Sequence, residues 1–203
     1  MKRILITLLF SLCCSIAFSQ SLEATIVYKN TYKSKYPNLT DAQLTELLGT
    51  VQNYYIKGEN YKSVSDGKMM QWQLYRGPEN KIYNKMSNSD KAMVLDASIN
   101  EDQVISVKVE KNAATILGYK CDKLILQCKS GVQNYFFAPN LFIDKKLYSK
   151  HAYGNYYAFL SASNSAPLKM TIDAPTFYME GIATSVSLGK VSDDIFKLPA
   201  EGK

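Results

Sequence analysis

The chain has 203 residues and a formal net charge of +6, and 46% of its residues are hydrophobic. This composition suits one globular domain with its own core and excludes the apolar-poor composition of disordered chains. The basic residues are scattered without any long run, so the charge does not indicate a nucleic-acid-binding surface.

Residues 1–19 have the pattern of a secretory signal peptide. A basic start leads into an apolar run, Ile4–Phe18, and Ser19 then precedes Gln20. The run is shorter than the roughly 20 residues that a helix needs to span a bilayer, which argues against a membrane anchor. We therefore expect cleavage before Gln20, with residues 20–203 forming a single domain that is periplasmic, in the cell envelope, or secreted.

One helix with clear end signals follows the first predicted strand. Thr40 and Gln43 have the spacing of a capping box, in which each side chain bonds the other residue's backbone amide. Leucines recur behind them at helical spacing, and a glycine suits the helix end. The predicted helix, Thr40–Gly49, packs its apolar face on the core or lies over a sheet as a lid.

Alternating apolar and polar residues over 51–188 predict a series of strands, most cleanly at Gln103–Asn112. Asp66 and Gly67 are typical of a hairpin turn because both residue types tolerate positive φ. We count about ten antiparallel strands in sequence order. Successive hairpins of this kind form a meander that curls into a barrel or half-barrel, giving a mostly β member of the α+β class.

The stretch Pro139–Tyr153 is less regular and predicts a loop or short helix, and Tyr156–Leu160 reads as a return to strand structure. Tyrosines are densest at Tyr153–Tyr157. Half-buried sheet packing is the favoured interpretation of the tyrosines, because they have high β-propensity. Stacking against a carbohydrate or another ligand is the alternative.

A curled sheet must fill its inner side with side chains, a helix or a ligand. Residues that alternate along a strand share one face, so each apolar set is a candidate lining for a hydrophobic hollow. We predict that the helix covers this hollow and that two strands line it. The candidate ligand-lining residues are Leu47, Leu48, Met70, Trp72, Leu74, Ile105, Val107 and Val109.

The sequence carries no catalytic signature and implies no cofactor or metal. The single histidine, His151, stands among lysines without a nucleophile motif nearby, which favours an incidental surface residue. Cys121 and Cys128 lie on one predicted strand, about 23 Å apart and on opposite faces. A disulfide needs Cα atoms roughly 4.4–6.8 Å apart, so we predict that the two thiols do not pair.

Several short motifs resemble the DUF4412 family, which is related to the GLPGLI proteins of Bacteroidetes. They are Tyr55–Ser63, Gly118–Lys123, Phe136–Asp144 and Asp194–Pro199. The resemblance implies a fold like that of LolA and LolB, a curved antiparallel half-barrel with one or two helices on its concave face. Those relatives hold acyl chains in the hollow, and the family offers no catalytic residues to carry over.

Two functions follow as hypotheses. The first is an envelope protein that binds a hydrophobic ligand, such as a lipid or a lipoprotein acyl chain, with contact to a membrane surface. The second is a non-enzymatic interaction or structural protein whose core is solid. A filled interior favours the second hypothesis over the first, whereas an enzyme is disfavoured because no site residues were found.

Cleavage before Gln20 predicts that protein isolated from the envelope begins at that residue. Mass analysis of its N-terminus checks this. An intact Met1, or a diacylglyceryl mass on a cysteine, would contradict it.

Overall fold

The computed structural model describes residues 21–199, so the predicted signal peptide and cleavage site lie outside the described residues. Within that range eleven strands form one antiparallel sheet in the order β6-β5-β4-β3-β2-β1-β11-β10-β9-β8-β7. The helices are α1 (Asp41–Leu48) and α2 (Tyr156–Ser163). The strands are β1 (Ala24–Ser34), β2 (Val51–Lys57), β3 (Asn60–Ser65), β4 (Met70–Arg76), β5 (Lys81–Met86), β6 (Met93–Asp96), β7 (Val104–Ile116), β8 (Tyr119–Cys128), β9 (Gly131–Phe142), β10 (Ser165–Asp173) and β11 (Phe177–Leu188).

The sheet is an antiparallel meander in which two consecutive strands, β6 and β7, do not pair with each other. Strands adjacent in sequence are also neighbours in the sheet, except that β6 and β7 lie at opposite edges. A flat sheet of eleven strands would be about 48 Å wide. The connection from Asp96 to Val104 spans about 27 Å at full extension. The sheet must therefore curl until its edges approach each other, which confirms the predicted half-barrel.

The connection, residues 97–103, is fastened to the chain segment that precedes α2. The carbonyl oxygen of Ala97 accepts hydrogen bonds from the amides of Ala152, at 2.7 Å, and Tyr153, at 2.9 Å. Nearer β7, the Asp102 carboxylate accepts bonds from the Ser130 hydroxyl, at 2.7 Å, and amide, at 3.0 Å. These bonds hold the connection against the segment that precedes α2 and against the β8–β9 turn.

The side of the sheet that α2 covers is called the inner face below. α2 and the 3₁₀ turn Lys145–Tyr148 pack into it, and Phe159 and Leu160 belong to the main core together with residues of β1, β8 and β9. Phe159 lies with its ring centroid 4.6 Å from that of Tyr135 on β9. The prediction of a strand at Tyr156–Leu160 is thus wrong. These residues have high β-propensity but form a helix, because packing contacts with distant strands such as β9 outweigh local propensity.

The opposite, outer face has a smaller core of its own. Leu74 is fully buried there beneath Val191 and Phe196, near the end of the chain, and Trp72 packs at its margin. Lys62 lies over the Trp72 ring, 4.9 Å from its centroid, and shields it further. The 3₁₀ turn Asp193–Phe196 thereby covers part of the outer sheet surface.

The predicted helix is confirmed as α1, with both bonds of its capping box present. The Asp66–Gly67 turn follows β3 as predicted, but the reason for its glycine differs. Gly67 has no positive φ; a Cβ there would stand 2.4 Å from the backbone of Leu48. Glycine is needed so that this turn can pack against the end of α1.

Cys121 and Cys128 both lie on β8 and both thiols are free and buried. Burial raises the pKa of the Cys121 thiol, and burial together with Asp102 raises that of Cys128 to about 11. Neither thiol is therefore an activated nucleophile. The prediction that these two thiols do not pair is confirmed.

Replacing Asp102 with Ala is expected to destabilise the fold by about 1–3 kcal/mol, since the Ser130 and Asn155 donors lose their acceptor. Urea unfolding measures the change. Glu101→Ala is the matched control on the same connection: its side chain is exposed and the free energy of unfolding should stay within about 0.5 kcal/mol. Equal effects of the two changes would show that Asp102 does not fasten the connection.

Candidate functional site

The half-barrel interior is filled by aromatic side chains around His151. This residue is fully buried, and its ring centroid lies 4.2 Å from that of Tyr75 and 4.5 Å from that of Tyr156. Its Nε2 is hydrogen-bonded to the Tyr61 hydroxyl at 2.8 Å. The prediction of an incidental surface histidine is wrong, because the lysines beside it in sequence point away from a residue that faces inward.

His151 is held in its neutral form. Burial lowers its pKa from 6.5 to about 4, and its Nδ1 has no hydrogen-bond partner within the described residues. The rings packed on it are tyrosines, whose own pKa values are raised mainly by burial. The ring has neither a nucleophile nor a carboxylate as hydrogen-bond partner, so the geometry supports a packing role.

The structure does not bring the eight predicted lining residues together. Leu74 and Trp72 belong to the outer-face core, so they cannot line an inner hollow. Met70 begins the same strand and pairs with Met86. Alternation correctly placed Trp72 and Leu74 on one face, but that face is covered by the C-terminal segment.

Two further candidates, Leu47 and Leu48, lie on α1. α1 packs against β1, and its backbone carbonyls accept bonds from the β3–β4 turn, including Met69 N to Leu47 O at 2.9 Å. Leu47 is 37% exposed and Leu48 is half-buried. Neither leucine belongs to the main core, so the prediction that these two side chains line the hollow is wrong.

The last three candidates lie on β7, the edge strand. Val107 is paired with Leu126 and Val109 with Leu124, so both valines share the inner face with two fully buried leucines. Yet Val107 is 50% and Val109 39% exposed, since the inner face is left uncovered at this edge. Ile105 sits at a register shift and is also exposed.

A surface cleft of about 420 Å³ lies beside the first residue of β7, next to α2, and Val107 and Val109 continue the apolar row beyond it. Val104, on the same face, forms one side of it, and Tyr157 and Ala158 of α2 form another. The crossing connection supplies the polar rim. The lining is completed by Asn100, Glu101, Asp102, Gln103, Ala152 and Asn155.

The rim carries one ionised carboxylate at a fixed position. Burial alone would raise the pKa of Asp102, but hydrogen bonds from Ser130 and Asn155 outweigh it and hold the pKa below its usual range. Asn155 also receives a bond from Asn100, at 2.7 Å between Nδ2 and Oδ1. The cleft thus joins an apolar floor to a negatively charged, hydrogen-bonded rim.

Sequence reasoning found this site only in part. It singled out the tyrosine cluster that contains Tyr157, with sheet packing favoured and ligand stacking as the alternative, and it gave no site role to residues 100–103. The available signal was the single histidine next to that cluster, since a histidine and several tyrosines within seven residues also suit a buried aromatic segment.

Two structural observations bear on other functions. Within residues 21–199, no three His, Cys, Asp or Glu side chains lie close enough together to hold a metal ion. In the same range, none of the helices has the length and apolar character that crossing a membrane requires.

No protein-family model and no curated protein matches the chain. Solved structures similar to it include a LolA superfamily protein from Nitrosomonas europaea, 10% identical, with a TM-score of 0.39 over 89% of this chain and 92% of that one. LprF from Mycobacterium bovis is 11% identical, with a TM-score of 0.35 over 89% and 90%. The fold assignment rests on the strand order of this chain, and the DUF4412 resemblance stays a prediction.

The neutral His151 makes the fold sensitive to acid. Its pKa is about 4 when folded and near 6.5 when unfolded, so unfolding takes up a proton as the pH falls through this window. Stability that is complete above pH 6.5 should fall by about 3 kcal/mol as the pH approaches 4. Urea unfolding at a series of pH values measures it.

Tyr61→Phe is the matched background, since it removes the hydroxyl partner but keeps the histidine. This variant should retain the acid-dependent loss, whereas Tyr61→Phe with His151→Phe should lose that component. Identical pH profiles of the two variants would show that another group causes the dependence.

Proposed function

We propose that the chain is a non-enzymatic binding protein of the cell envelope that takes an apolar chain, such as a lipid acyl group, in the cleft between α2 and β7. The observation that carries this proposal is the uncovered apolar row Val104, Val107 and Val109. Val107 and Val109 share the inner face with fully buried leucines but are themselves exposed, and Val104, on the same face, is half-buried. Burying such side chains against an apolar ligand is favourable in proportion to the area covered.

The cleft has the character of a small-molecule site. Its volume of about 420 Å³ falls in the usual range of about 300–1,000 Å³ for ligand pockets. Its apolar floor suits a hydrocarbon chain, and the carboxamides and carboxylate of the rim suit a polar or cationic head group. The signal peptide predicted at residues 1–19 supports a location outside the cytoplasm.

The filled interior limits where such a ligand can bind. Tyr148, Phe159 and Leu160 occupy the space that a deep acyl chain would need, and each is at most 3% exposed. The ligand therefore lies along the inner side of β7, at the margin of the filling. Anything longer would have to displace α2 and the aromatic cluster.

The same filled interior favours a second function, an envelope interaction protein with a solid core. Lipid mass spectrometry on protein purified from its native envelope separates the two functions. A stoichiometric lipid supports the binding protein. Its absence, with no saturable binding in the titration below, supports the interaction protein.

Val107→Asp should weaken the binding of a fluorescent fatty acid at least tenfold, because it places a charge in the apolar row. Ser106→Asp is the matched control: it is exposed on the same strand, adds the same charge and lies on the other face. It should bind like the unmodified protein in a fluorescence titration, with palmitate as competitor. Equal effects of both changes, or no saturable signal, would refute binding along the row of valines that extends from the cleft.

A further inference from the structure

The edge strand β7 is unpaired on one side. It ends the sheet order, and its residues from Ile105 to Val109 are exposed on both faces. Such a strand presents a row of backbone N–H and C=O groups that another strand can pair. Two register shifts, between Val104 and Ser106 and between Glu110 and Ala114, leave the segment between them regular. An added strand can therefore pair regularly with Ser106–Glu110, the stretch that contains Val109.

The charges on this stretch are self-complementary about one residue. Lys108 and Glu110 share the outer face and flank Val109, with 2.8 Å between Nζ and Oε1. An antiparallel copy related by a two-fold axis through Val109 would place each Lys108 opposite Glu110 of the second copy. A shift of the axis by one residue would place Lys108 opposite Lys108, or Glu110 opposite Glu110, and like charges in that position are unfavourable.

We infer that a second copy of this chain pairs with β7 in antiparallel fashion, with Val109 opposite Val109. The contact is isologous, as in most homodimers, and joins two half-barrels edge to edge. On the inner face it places Val109 of one copy opposite Val109 of the other and diagonal to its Val107, which removes part of their exposed surface from water. A second copy is favoured over a different protein because the charge pattern is complementary to itself. The inference does not depend on the bound ligand.

Cysteine cross-linking tests the register. Directly opposite residues have Cα atoms about 4.5–5.5 Å apart, within the range of a disulfide. Val109→Cys should therefore form a covalent dimer under mild oxidation, and peptide mapping should recover a 109–109 link. Val107→Cys is the matched control, since two copies of residue 107 would lie about 14 Å apart along the strands. The native Cys121 and Cys128 are buried, which keeps their background low.

Charge reversal tests the specificity without cysteines. Lys108→Glu and Glu110→Lys should each weaken self-association about tenfold, because each creates two like-charge pairs in the dimer. The double variant Lys108→Glu/Glu110→Lys should restore it. Sedimentation of the purified protein over a concentration series measures dimerisation, and circular dichroism confirms folding.

A 109–109 link without a 107–107 link, together with rescue by the double reversal, supports the interface. A protein that stays monomeric at all concentrations overturns it, and so does equal cross-linking at both positions or dimerisation that is indifferent to the reversals.

Discussion

The connection between β6 and β7 constrains the rest of this structure. It joins the two outermost strands of an eleven-stranded sheet through residues 97–103. Because the chain cannot reach across a flat sheet of that width, the sheet curls, and the connection crosses its open side. The hydrogen bonds that Ala97 and Asp102 accept then hold the connection against the segment before α2 and against the β8–β9 turn. The curvature of the sheet, its filled interior and the cleft beside the connection all follow from this arrangement.

Curling creates an interior that must be filled, and tyrosine fills it. Each ring supplies apolar area and each hydroxyl needs a partner once it is buried. The Tyr28 hydroxyl donates to the Pro167 carbonyl at 2.6 Å, and that of Tyr148 donates to the Gly58 carbonyl at 2.9 Å. Residues far apart in the chain are thereby joined across the half-barrel. Within residues 21–199, the Nδ1 of His151 and the Oδ1 of Asn30 are buried without a hydrogen-bond partner, and burial keeps the His151 ring neutral and the fold sensitive to acid.

The filling also decides where function can lie. α2 packs on β8 and β9, whereas Val107 and Val109 of β7 stay exposed, so exposed apolar side chains and the unpaired edge occur on the same strand. The inner side of that strand is apolar at Val107 and Val109, and its outer side carries Lys108 and Glu110. One strand therefore offers two different surfaces, an apolar margin for a ligand and a charged edge for a second copy. The ligand proposal uses the apolar side chains, whereas the dimer proposal rests on the backbone edge and the charged pair and also buries part of Val109; the two are tested separately.

By itself the sequence determined the elements whose signals are local. The capping box sets the start of α1, alternation sets the strands and their two faces, and the spacing of Cys121 and Cys128 keeps them apart. Alternation does not state which face turns inward, since that depends on which distant segment covers it. Only the tertiary structure placed Leu74 under the C-terminal segment, made a helix of Tyr156–Ser163 and buried His151. Those outcomes depend on contacts across the half-barrel, which are long-range and leave no periodic trace in the chain.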